Sequence, residues 1–293
     1  MHPNPADTMK RQDFRFFERL RVRWVEVDMQ KIVFNGHYLM YIDTAVAAYW
    51  RALAVPYHEA MAQLQGDLFV RKATLEYLGS ARYDEVCDVG VRCDHIGNSS
   101  LRFVAAVFRG QTLLVHGELI YVFADAVAQT SKPVAAALRD TMLGFERGEP
   151  VLHVSLGAWA ELGEAARALR QAVLVDEMKA PAAVVADDDD VRAVTAVAFT
   201  RLAMPVATAR LLPRGGGLMQ LGRMAVVPAL RGSGFGRQVL DALIQSAREQ
   251  SASRVVLHAH SGAVAFYAAA GFVATGVGID DGSERLVEMQ LRL

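Results

Sequence analysis

The sequence predicts an α+β chain of two domains, and three observations carry that prediction. Its 293 residues reach the length at which one hydrophobic core usually gives way to two. One long run of helical periodicity near the start is followed by consecutive alternating segments, as when an antiparallel sheet curls around a helix. Far downstream a glycine-rich turn, Arg231-Gly-Ser-Gly-Phe-Gly236, joins a strand-like run to a second helical pattern.

Hydrophobic content of 53% against 22% charged residues suits a globular chain with ample core. Lys+Arg 31 against Asp+Glu 32 gives net −1, so no broad electrostatic case exists for nucleic acid or an anionic membrane. No apolar run is long enough to span a bilayer. The first residues lack the basic-then-apolar order of a signal peptide, and a cytoplasmic location is expected. Cys87 and Cys93, on one face of an alternating segment with Val89 and Val91, read as small buried hydrophobes; no metal is expected.

Residues 1–13 read as a polar lead that need not be ordered. Phe14 to Val27 reads as a strand region, with Leu20, Val22, Trp24 and Glu26 toward one face. A helix follows, with Leu39, Ile42, Ala45, Val46, Tyr49, Trp50 and Leu53 as its apolar stripe, until Pro56 breaks it. Strands are predicted from Phe69 to Leu78, Glu85 to His95, Ser99 to Phe108 and Leu113 to Ala124, with a turn at Ile96-Gly-Asn98. The polar stretch Glu146-Arg-Gly-Glu-Pro150 is taken as the hinge, giving domains 1–148 and 149–293.

Beyond it, Val151 to Leu156 reads as a strand, and Trp159, Leu162, Ala166, Leu169 and Val173 as a helix face. Asp187 to Asp190 is expected to be a solvated turn, with a metal or amine-substrate role as the sharper alternative. Strands follow at Val191 to Phe199, Val206 to Leu212, Gly222 to Pro228, Arg254 to Ala259 and Leu286 to Leu293.

The residues in the first half carry a resemblance. Val25-x-x-Asp28 followed by Ile-Val-Phe-Asn-Gly-His-Tyr-Leu39 resembles the motif opening the central helix of hotdog acyl-CoA thioesterases of the 4-hydroxybenzoyl-CoA type. Val70 to Tyr83 is similar to that family's next strand and turn. Two positions depart from the family: Lys31 where glycine is common, and Asn35 where His or Tyr is common. The resemblance implies an antiparallel sheet wrapped around a long helix, acyl-CoA substrates and at least a dimer. It implies that Asp28 attacks the thioester or activates water, and that the backbone near Asn35 and Gly36 receives the carbonyl oxygen. The plainer reading of Asp28 is a carboxylate favoured by the helix dipole. His37 either hydrogen-bonds the site or packs, and Glu76 is a weaker second carboxylate.

In the second half, Gly232, Gly234 and Gly236 space as G-x-G-x-G, which is not a dinucleotide fingerprint, and no Gly-Lys-Ser/Thr follows for a P-loop. Arg-x-x-Gly-x-Gly, with Ala265-Phe-Tyr-Ala-Ala-Ala-Gly-Phe272 and the strand Gly222 to Pro228, resembles the GNAT N-acetyltransferases. That resemblance implies a mixed sheet flanked by helices, acetyl-CoA as cosubstrate and an unidentified amine as acceptor. It places the cosubstrate on Val226, Val227, Arg231, Gly232, Ser233, Gly234, Phe235 and Gly236, and makes Tyr267 the general acid. Tyr267 is otherwise an aromatic packed beside Phe266. His258, His260 or ordered water would be the base. The expected protein is a bifunctional, oligomeric enzyme; the alternative is that one half is a non-catalytic acyl-CoA-binding or oligomerising module.

Overall fold

The computed structural model describes residues 9–280 and 285–293. Most of the expected polar lead therefore lies outside the described residues; Arg11–Asp13 form a short 3₁₀ turn. The chain divides into two compact units, Met1–Val151 and Leu152–Leu293.

The first unit has the hotdog fold. Its sheet contains β1 (Phe16–Arg21), β2 (Asp67–Tyr77), β3 (Val86–Ile96), β4 (Ser100–Arg109) and β5 (Thr112–Ala124). The order is β1-β3-β4-β5-β2, antiparallel throughout. Helix α1 (Asn35–Ala52) packs on β1, β3 and β4. Tyr38, Ile42, Ala45, Tyr49 and Leu53 recur at three and four residues and are buried. Each such large side chain contributes about 1.5–3 kcal/mol when fully withdrawn from water. Leu39, expected on this stripe, instead lies at the exposed margin.

Other differences have local causes. The first strand ends at Arg21 because the backbone turns into a 3₁₀ segment, Trp24–Glu26; Trp24 is solvent-facing, against Tyr83. Beyond Pro56 a short helix, α2 (Tyr57–Leu64), was not anticipated, since eight residues give little period to read. A third helix, α3 (Ala136–Glu146), closes the unit. Its last residue belongs to packing rather than to a hinge: Glu146 Oε1 accepts from Tyr49 Oη at 2.5 Å and from the Cys93 N–H at 2.9 Å. Burial pushes the Glu146 carboxyl above its ordinary range. Both cysteines are buried and free, and burial raises their thiols to about 11 and about 12.

The second unit has the GNAT fold. Its strands are β6 (Leu152–Gly157), β7 (Val194–Thr200), β8 (Pro205–Gly215), β9 (Leu218–Val226), β10 (Arg254–Ala259), β11 (Val273–Asp280) and β12 (Arg285–Arg292). They run in the order β11-β12-β10-β9-β8-β7-β6, with β9 and β10 the parallel pair. Helices α4 (Trp159–Arg170), α5 (Phe235–Glu249) and the short α6 (Val264–Ala268) complete it. The α4 pattern continues past Arg170 as a π-helical turn, Gln171–Glu177.

The aspartate run is not a solvated turn. Asp190 is fully buried, as is Arg170, whose Nη1 lies 2.9 Å from both its carboxylate oxygens. Arg210 reaches both Asp190 and Asp187, and Arg223 adds a second guanidinium to Asp187. Hydrogen bonds from Arg210 and Arg223 hold the Asp187 carboxyl far below its usual range despite partial burial. Removing one member of a buried pair strands the other charge at a cost of about 3–5 kcal/mol. Asp190→Ala is therefore expected to lower unfolding stability by about that amount, while the exposed Asp188→Ala stays within about 0.5 kcal/mol. Chemical denaturation of the two variants compares them directly.

Candidate active sites

In the first unit the candidate site is the loop that enters α1. A bridge between Val27 and Val33 pinches it closed. Within it the Asp28 N–H donates to Ile32 O and the Lys31 N–H to Asp28 O, both at 2.9 Å. Asp28 Oδ1 accepts the Gln30 N–H at 2.8 Å, which fixes the carboxylate over the turn while leaving it partly exposed. Lys31 sits at φ 63°, the left-handed region that favours glycine.

The loop is anchored by a residue that the sequence places on a strand face and gives no role. Glu26 is buried, accepts from Tyr41 Oη at 2.6 Å, and pairs with Arg23. Burial pulls its carboxyl upward, but these hydrogen bonds outweigh that and hold it below the ordinary value. The Phe34 N–H donates to Glu26 O, and the Val33 N–H to Ala81 O, so α1 starts from a fixed point. Nothing in the local pattern announces the Glu26–Tyr41 pair, whose members lie 15 residues apart.

Helix α1 has no side-chain cap at Phe34. A helix leaves its first N–H groups without partners of its own. Two are already engaged: Gly36 donates to Asn35 Oδ1 at 2.8 Å and His37 to Phe34 O at 2.9 Å. Asn35 and Gly36 are exposed, whereas His37 is half-buried with Nδ1 3.2 Å from Met40 Sδ. Glu76, on β2, lies 3.3 Å from His116 of β5, away from the α1 entry in sequence and on the edge strand.

In the second unit the parallel strands part. Only Leu218 to Gln220 of β9 pair with Arg254 to Val256 of β10; both strands then continue. Beside the parting, β9 bulges: Thr208 faces Ala225 and Arg210 faces Gly222, so Arg223 and Met224 stand against Ala209 alone. Arg223 takes φ 55° there. A cleft of about 780 Å³ opens here, and Arg223, Met224, His258, His260 and Tyr267 are among its walls.

Val226 and Val227 end β9 and lead into a 3₁₀ turn, Pro228–Leu230. Gly232 (φ 78°) and Gly234 (φ 84°) are left-handed, and a Cβ on either would meet nothing within 4 Å; their need for glycine is conformational, and the loop faces open space. Gly236 differs: its Cβ would approach Val226 to 3.1 Å, so α5 lies close on β9. Gly234 caps α5 without a side-chain bond, and the amides of Ser233 to Gly236 lie where an anion is favoured. This cradle suits a phosphate-bearing group. Arg231, however, is held bidentately by Glu177 at 2.6 and 2.7 Å. Glu177, at the end of the π-helical turn, was not anticipated.

Tyr267 is buried among Phe266 and Phe272, and burial pushes its hydroxyl up to about 12. His258 Nε2 stands 3.8 Å from Glu288.

Comparison with known proteins agrees with this architecture. Residues 30–123 match the thioesterase superfamily, and residues 181–293 match the acetyltransferase (GNAT) domain. The chain thus joins a hotdog thioesterase-superfamily domain to a GNAT acetyltransferase-family domain. A candidate esterase of Aquifex aeolicus is 28% identical over 94 residues, spanning 32% of this chain and 73% of that protein. A candidate N-acetyltransferase from Lactobacillus plantarum is 31% identical, with 49% of this chain and 99% of that one covered and a TM-score of 0.46. A Thermus thermophilus thioesterase, solved with coenzyme A and zinc, is 22% identical over 47% of this chain and 99% of its own, with a TM-score of 0.41.

The left-handed Lys31 explains why glycine suits that position. A left-handed L-residue costs roughly 1–2 kcal/mol, part of which glycine returns as unfolded-chain entropy. Lys31→Gly is expected to stabilise the first unit by about 0.5–1 kcal/mol. Thermal melts of the variant beside wild type measure this.

Proposed function

We propose that the protein is a bifunctional enzyme that hydrolyses acyl-CoA thioesters with its first unit and transfers an acetyl group from acetyl-CoA to an amine with its second. The observation that supports this most is shared by both units. Each carries a long helix that starts without a side-chain cap, α1 after the Asp28 loop in one and α5 after the glycine loop in the other.

In the first reaction Asp28 attacks the thioester carbonyl or takes a proton from the water that does. The carbonyl oxygen would be received by the α1 entry, where one backbone donor is worth roughly 2.7–4 kcal/mol of barrier. It must compete with Asn35 Oδ1 for the Gly36 N–H. That bond is also the observation favouring a second reading, in which the first unit binds acyl-CoA without hydrolysing it. His37 would orient the helix entry rather than move protons. A homo-oligomer is part of the proposal: β2 is an edge strand with Phe69 and Val70 exposed, and Phe34, Tyr77 and Leu78 near the α1 entry are also uncovered.

In the second reaction acetyl-CoA supplies an activated acetyl group. Val226, Val227, Gly232, Ser233, Gly234, Phe235 and Gly236 would hold it, with Arg231 released from Glu177 to meet its pyrophosphate. An unprotonated amine attacks the carbonyl, and Tyr267 gives its proton to the departing sulfur. A hydroxyl near 12 stays protonated at neutral pH and is a weaker acid than a free thiol at about 8.5, so the sulfur takes the proton only as its bond to carbon breaks. His258, His260 or water returns the balance by accepting the amine's proton.

Two variants test these assignments. Asp28→Asn should reduce thiol release from acyl-CoA, without amine, at least a thousandfold while leaving circular dichroism and melting unchanged; wild-type hydrolysis by the variant removes Asp28 from the chemistry. Tyr267→Phe should lower the rate of acetyl transfer at saturating amine and leave acetyl-CoA affinity within about twofold. The rising limb of its pH profile should survive, because a group near 12 does not titrate between pH 7 and 10. Undiminished turnover would return Tyr267 to packing.

A further inference from the structure

Resting on the acetyl-transfer reading, we propose that the amine acceptor carries a compact anion, a carboxylate or a phosphate, which Arg214 and Arg223 hold while the amine lies toward Tyr267 and His258. Among the described residues, the cleft beside the parted strands is lined by four cations, Lys179, Arg210, Arg214 and Arg223, against two carboxylates, Asp187 and Asp189. The third carboxylate of the network, Asp190, is matched behind the wall by the buried Arg170. An excess of positive charge in a cleft concentrates anions and repels polyamines.

The pyrophosphate of the cosubstrate does not account for Arg214. Arg214 is tied by Nε to Gln220 Oε1 at 2.7 Å, near the start of β9. The glycine loop follows Val226 at the other end of that strand. Six residues of strand separate them by roughly 20 Å. Arg231 already stands at the loop for that task.

The three arginines are unequally committed. Arg210 is nearly buried and spends its guanidinium on Asp187 and Asp190. Arg223 gives Nη2 to Asp187, at 2.8 Å, and its buried Nε has no hydrogen-bond partner among the described residues. Its positive φ in the bulge is a conformation side-chain-bearing residues avoid, and Arg223 lines the cleft. Arg214 is 41% exposed and only 3.3 Å from Asp189, a loose pair that an incoming anion can share. A planar fork of N–H donors suits a carboxylate or a phosphate equally.

The test uses the full-length protein, acetyl-CoA and matched amines, with acetylated product quantified by mass spectrometry so that hydrolysis does not interfere. β-Alanine is paired with propylamine, and phosphoethanolamine with ethanolamine; putrescine is the cationic counterpart. At least one anionic member should exceed its neutral partner tenfold or more in kcat/KM, and which pair shows it separates carboxylate from phosphate. Arg214→Gln should bring that ratio toward one through KM, a loss of about ten- to a hundredfold for the anionic member. Arg214→Lys should keep part of it. A preference for the neutral amines or putrescine, equal rates within both pairs, or no acetylated anionic amine overturns the proposal. Calorimetry with acetyl-CoA separates the failures. Binding that Gly234→Glu removes, with no anion preference, rejects the acceptor class alone, whereas the absence of any Gly234→Glu-sensitive binding rejects the acetyl-transfer reading beneath it.

Discussion

A helix cannot satisfy its own first N–H groups, and both candidate sites follow from where this chain leaves that debt. α1 begins at Phe34 and α5 at Gly234, neither with a side-chain cap. The surrounding structure is arranged to hold those starts still. Glu26, bound by Tyr41 and Arg23, also takes the Phe34 N–H on its carbonyl, and Gly236 lets α5 lie against Val226. Positive partial charge at a fixed helix start is the common resource, available to a developing oxyanion in one unit and to phosphate in the other.

Both candidate sites are also occupied from within. Asn35 Oδ1 takes the Gly36 N–H, and Glu177 takes both Nη atoms of Arg231. The Glu177–Arg231 pair holds the Glu177 carboxyl below, and the guanidinium above, its ordinary value. These side chains are substantially exposed, where ion pairs contribute little to stability. An incoming ligand that replaces them therefore exchanges one set of contacts for another, and the protein's own groups do not have to be stripped bare first.

Much of this fold was legible in the sequence because period and punctuation agree. The α1 stripe, the alternating strands and the glycine loop each state local structure in the same terms as tertiary packing. What was not legible lies where partners are distant. Arg170 and Asp190 are 20 residues apart and form a buried pair, yet in sequence Asp187 to Asp190 looks like any solvated charge run. Glu146 looks like a hinge residue until Tyr49, nearly a hundred positions earlier, is seen to donate to it. The bulge at Arg223 is equally silent, since no residue type announces φ 55° in a strand. At the candidate sites, Asp28, Gly234 and Tyr267 are proposed from motif and neighbourhood, whereas Glu26, Glu177 and Arg223 required the fold.

The central claim is that both units handle CoA thioesters. Isothermal titration of the intact protein with CoA counts the sites directly. Two equivalents per chain are predicted, and Gly234→Glu, which sets a bulky anion in the phosphate cradle, should remove one and leave the other. A stoichiometry of one in the wild-type chain, unaltered by Gly234→Glu, would contradict the account.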